Sequence, residues 1–126
     1  MRPKSLAEVA GLALQGESLD LCLANFLDEF YLHPTQEALA TEPARLRGAL
    51  PEIGEVGDAY LAATAETLAC RNGLDTPSWA YEESRKLRHP WFALSFASLR
   101  AVLLVESPAA FRSRNLFVSE NALSRA

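Results

Sequence analysis

Apolar residues recur at helical spacing through most of this chain. Ser5 stands before the first run as a cap, with Glu8 three residues on as its capping-box partner. Leu6, Val9, Ala10, Ala13 and Leu14 then follow, and Gly16 closes the segment. Ser18 opens a second helix. Its buried stripe is Leu19, Leu23, Phe26 and Phe30, widened by Cys22, Leu27 and Tyr31, with Asp20, Asn25, Asp28 and Glu29 on the other side. Pro34 ends it at His33, because the residue before a proline avoids the helical region. Thr35 predicts a short helix over 35–41, interrupted at Glu42-Pro43, with another turn or two over 44–50. An alanine-rich helix runs from Ile53 or Val56 to Arg71, where Arg71-Asn72-Gly73 is a strong stop.

Asp75-Thr76-Pro77 predicts a further helix carrying Trp79, Tyr81 and a charged face, with Glu82 and Lys86 as an i,i+4 pair, ended by His89-Pro90. Residues Phe92 to Glu106 read as a helix apolar on nearly every side, central to a core or an interface. Arg100 is its exception, and its stem must cross apolar ground. A buried guanidinium needs a partner, so a carboxylate or a cluster of carbonyls is expected there. Ser107-Pro108 starts a short helix, Pro108–Arg114, with Phe111 facing inward and Arg112 and Arg114 facing out. Leu116-Phe117-Val118 is a brief extended run, and Ser119 caps a last turn. The pattern predicts an all-α, compact single-domain bundle over residues 1–126, of about five to seven helices with a short irregular or extended C-terminal segment.

Length supports that reading. A compact chain of 126 residues has a radius of gyration of roughly 14 Å and needs no metal or disulfide staple. The net charge of −4 conceals an asymmetry: residues 1–80 hold 12 acids and 5 Lys/Arg, residues 81–126 hold 4 acids and 7. The two parts either attract each other within one fold or leave a basic C-terminal surface for a partner. Overall acidity disfavours tight nucleic-acid binding, which draws on many phosphate contacts. Cys22 and Cys70 both read as small buried hydrophobes. No signal-peptide pattern follows Met1-Arg2-Pro3-Lys4, and no apolar run is long enough to span a bilayer, so a cytoplasmic location is expected.

Candidate chemistry is sparse. Cys22, His33, Cys70 and His89 are scattered, without ligand spacing for a metal. Gly54-Glu55-Val56-Gly57 lacks the spacing and the lysine of a phosphate cradle, and no nucleophile motif is present, so no cofactor and no catalytic residue is expected. Asp28 and Glu29 are adjacent on a helix and so do not face one site. Trp79 and Trp91 flank a charged segment and either seal the edge of the core or form a partner-binding patch. Arg112, Arg114 and Asn115 could contact DNA in a helix-turn-helix arrangement, although a recognition helix is usually longer and more polar. The binding candidates are thus Arg100, Arg112, Arg114, Asn115, Trp79 and Trp91.

One resemblance bears on function. Pro90-Trp91-Phe92, Leu99-Arg100, Glu106-Ser107-Pro108-Ala109-Ala110-Phe111-Arg112, Arg114-Asn115-Leu116-Phe117-Val118 and Leu123-Ser124-Arg125-Ala126 form a C-terminal signature. With Asp58-Ala59-Tyr60-Leu61-Ala62-Ala63 and Trp79, it resembles an uncharacterised family of small bacterial helical proteins over residues 18–126. Some members are encoded beside nucleotidyltransferase-like toxins. The resemblance implies an antitoxin-like protein–protein interaction role, with a protein partner or a homo-oligomer and no membrane. A DNA-binding transcriptional regulator is the alternative, and a small helical enzyme without a recognisable site the third reading.

Overall fold

In the computed structural model, which describes residues 2–50, 53–93, 103–104 and 106–124, the chain packs around one helix, α4 (Gly54–Arg71). Buried positions occur on every side of it, including Ala59, Leu61, Ala62, Ala63, Ala65, Leu68 and Ala69. Alanine makes this workable. It has the highest helix propensity, and its single methyl lets neighbouring elements approach closely.

The first three helices form as their caps dictate. In α1 (Leu6–Leu14), Ser5 Oγ accepts from Glu8 N at 3.1 Å. The Glu8 carboxylate reaches back past the cap residue and accepts from Lys4 N at 2.9 Å. Gly16, with φ +103°, turns the chain in the left-handed region that glycine tolerates. In α2 (Leu19–Leu32), Ser18 Oγ accepts from Leu21 N, and the helix stops before Pro34. α1 packs against α2, and Phe26 stacks on Phe30 with ring centroids 5.7 Å apart. α3 (Glu37–Ala40) is one turn held by Thr35 Oγ1, which accepts from Ala38 N.

Beyond Gly73 the structure departs from the pattern. The helix expected after Pro77 is replaced by two 3-10 turns, Ser78–Tyr81 and Glu83–Arg85. Glu82 between them is extended (ψ 136°), which lets both Trp79 and Arg85 point into the core. The Glu82–Lys86 pair therefore does not form: Glu82 pairs with Arg45, and Lys86 Nζ donates to Glu83 at 3.2 Å.

Trp91–Phe92 is likewise a strand, β1, and not the start of a helix. It runs parallel to β2 (Leu116–Phe117), with Trp91 N donating to Asn115 O at 2.9 Å and Ala93 N to Phe117 O at 3.0 Å. The rings of Phe92 and Phe117 stack at 4.9 Å. The expected apolar helix survives at its end, where Leu103, Leu104 and Glu106 are helical. Phe96, Leu99 and Arg100 lie outside the described residues.

The short helix after Pro108, α5 (Ala109–Arg112), packs on α4 through Phe111, edge-to-face with Tyr60 at 5.0 Å. Ser107 does not cap it. Its hydroxyl accepts from Val118 N at 2.8 Å and lies 2.5 Å from Leu103 O and 2.9 Å from Val118 O, tying the incoming chain to the outgoing one. Cys22 is buried as expected, whereas Cys70 is exposed on the last turn of α4. The architecture is all-α, because two strands of two residues do not change the class. No helix among the described residues is long and apolar enough to cross a membrane.

Candidate functional site: a polar clamp and an apolar groove

The residues singled out in the sequence fall into three environments. Arg112 is exposed. Arg114 is not the outward partner its spacing suggested, since only 1% of it is accessible. Its guanidinium meets Glu66 at 2.6 Å and donates to the carbonyls of Ala110 and Ala80, each at 2.7 Å. α5 ends at Arg112, so Arg114 lies in the following turn and points back towards α4. Asn115 takes φ +62°, which asparagine tolerates better than most residues, and its amide donates to Leu87 O at 2.7 Å. The three supposed DNA contacts are thus one exposed side chain and two structural ones. Trp79 is buried and donates to Leu39 O at 3.0 Å, so it belongs to the core. Trp91 is 36% exposed on β1 and faces a groove described below.

A second buried arginine escaped the sequence pattern. Arg85 is wholly buried, its guanidinium carbon 4.8 Å from the centre of the Trp79 ring. It donates to Pro43 O at 2.7 Å, to Asp58 O at 3.3 Å and to Glu42 Oε2 at 3.3 Å. Burial, helped by the neighbouring charge of Arg45, lowers its pKa, and Glu42 and Asp58 oppose that shift. Asp58, also fully buried, accepts from Leu46 N at 2.7 Å, from Arg47 N at 3.2 Å and from Arg47 Nε at 3.2 Å. One carboxylate thus holds the 42–47 loop against α4. Its signal in the sequence is an acid at position 58 inside an alanine-rich, otherwise apolar helix, where an unpaired charge could not remain.

The opposite side of α4 borders a cavity of about 750 Å³, open to solvent. Leu19, Leu23 and Leu27 of α2 form one wall. Val56, Tyr60 and Leu61 of α4, with Leu50 and Ile53 before it, form the second. The C-terminal segment supplies the third through Trp91, Val118 and Ala122. Gly57 lets the walls converge: a Cβ there would lie 2.8 Å from Leu46 Cδ1 and 3.1 Å from Leu19 Cδ2.

Among the described residues, the ionisable side chains lining this groove are Glu17, Asp20 and Tyr60, all acids. Burial, with a smaller contribution from Asp20, pushes the Tyr60 phenol up to about 12. Among the described residues no group of three His, Cys, Asp or Glu side chains could hold a metal ion. Compared with known proteins, the chain matches no family model, no curated protein and no solved structure.

Proposed function

We propose that the protein is a non-enzymatic protein–protein interaction module of the bacterial cytoplasm, acting in an antitoxin-like manner. The observation that supports this most is the groove. Soluble chains rarely leave so large an apolar concavity open unless something docks there. One of its walls comes from described residues of the C-terminal segment that carries the signature Pro90 to Ala126. That signature resembles small bacterial proteins encoded beside nucleotidyltransferase-like toxins, which makes such a toxin the natural partner. A DNA-binding role retains only Arg112 of its three expected contacts at the surface.

Co-expression with the protein encoded next to it tests the reading. The two should co-elute on size exclusion in low and in high salt, and Arg112→Glu should leave the complex intact. Separate elution, together with binding to duplex DNA that weakens steeply with salt, would replace the interaction module with the regulator.

A further inference from the structure

The walls of the groove constrain what fits in it. They are built mainly from the side chains of α1, α2 and α4, whose helices already pair their own backbone groups, with Trp91 of β1 and the C-terminal turn along one side. An extended peptide lying between α2 and α4 would find no ladder for its N–H and C=O groups there. A helix brings its backbone already paired and offers only side chains.

The charge of the lining points the same way. Glu17 and Asp20 are exposed at the α1–α2 turn, on the rim of the groove, and neither is ion-paired among the described residues. No Lys, Arg or His is among the described residues that line the groove. Apolar anchors also stand at the mouth: Ile53 is 52% exposed and Trp91 36%.

We propose that this groove is the docking site for a basic amphipathic helix of the partner, whose apolar stripe enters between α2 and α4 while its lysines or arginines meet Glu17 and Asp20. This assignment rests on the interaction reading above and adds the chemistry of the partner to it. Leu19, Leu23 and Val56 receive the apolar stripe. Asp20 and Glu17 select the charge that flanks it, and so set discrimination more than bulk affinity.

Two synthetic peptides of about 14 residues, roughly 21 Å as a helix, provide the probe. Both carry leucine at i, i+4, i+7 and i+11. One has lysine at the flanking positions and the other glutamate. Fluorescence anisotropy with the full chain at low salt should show the lysine peptide binding at least about tenfold tighter, the scale of a modest charge-selective contact. The Glu17→Gln, Asp20→Asn double variant should bring the two peptides to within about twofold to threefold of each other. Ile53→Asp, at an exposed position, should weaken both while leaving thermal unfolding unchanged.

Equal binding of the two peptides, a preference that persists in the neutralised variant, or binding that survives Ile53→Asp would each overturn the assignment. A homodimer broken by Ile53→Asp would overturn it too, by placing a second copy in the groove. If a co-expressed partner stays bound in the presence of excess lysine peptide, the groove assignment falls and the interaction reading stands. If no partner co-elutes and neither peptide binds, both fall.

Discussion

α4 meets the rest of the chain in two different ways. On the side of the 42–47 loop it presents Asp58, and further along Glu66, and the chain answers with Arg47, Arg85 and Arg114. Among the described residues most polar groups there find a partner within the same molecule, with Arg85 Nε, Arg114 Nε and Arg45 Nη1 left over. On the side of α2 it presents Gly57, Val56 and Tyr60, and the chain leaves an open apolar groove. Charge and carbonyls close the first face, and small side chains keep the second open.

Removing the carboxylate at the centre of the clamp is the most severe way to break this contrast. Asp58→Ala leaves Leu46 N and Arg47 N without their acceptor and takes away one of the two carboxylates near buried Arg85. It should cost about 3–5 kcal/mol in urea unfolding, the range for breaking a buried ionic contact from one side. Arg114→Met should cost less, about 2–3 kcal/mol, because Glu66 is partly exposed and can turn to water while the carbonyls of Ala80 and Ala110 lose a donor.

Two glycines three residues apart sharpen the comparison. A Cβ on Gly54 would stand 2.5 Å from Leu46 O and 2.8 Å from Arg47 Cα, both backbone, so Gly54→Ala should cost about 1–3 kcal/mol. On Gly57 the obstacles are the ends of leucine side chains, which can rotate, and alanine gains about 0.5–1 kcal/mol of helix propensity. Gly57→Ala should thus come out near neutral in the same unfolding assay, while narrowing the groove and weakening peptide binding.

One effect appears only in alkali. The Tyr60 phenol ionises near 12 in the folded chain, against an ordinary value near 10 when unfolded. Between those values the unfolded state has lost its proton and the folded state retains it. Stability should therefore hold up to about pH 10 and fall from there towards 12. Ultraviolet titration should show one tyrosine ionising near 12, and Tyr60→Phe should remove that step and flatten the alkaline decline.

The first half of the fold was legible because its signals are local. Ser5, Ser18 and Thr35 cap as expected, and Pro34 and Gly73 stop their helices. The second half is governed by long-range contacts that periodicity cannot register. Trp79 must reach Leu39 O and Arg85 must reach Pro43 O, and together they convert an expected helix into two tight turns. Trp91 and Phe92 become a strand because Asn115 and Phe117 offer carbonyls from a distant part of the chain. The rule that a buried arginine needs a carboxylate or carbonyls holds at Arg85 and Arg114, while Arg100, where the pattern places it, lies outside the described residues. The groove itself left no trace in the pattern, since its walls come from residues more than a hundred positions apart.

The late position of α5 has a consequence for synthesis. Phe111 packs against Tyr60, and Arg114 closes on Glu66, yet both lie about 40 residues or more beyond the end of α4 at Arg71. At bacterial or eukaryotic elongation rates of about 5–20 residues per second, α4 waits roughly 2–8 s for its C-terminal cover. During that interval the nascent chain carries an alanine-rich helix with one apolar flank bare.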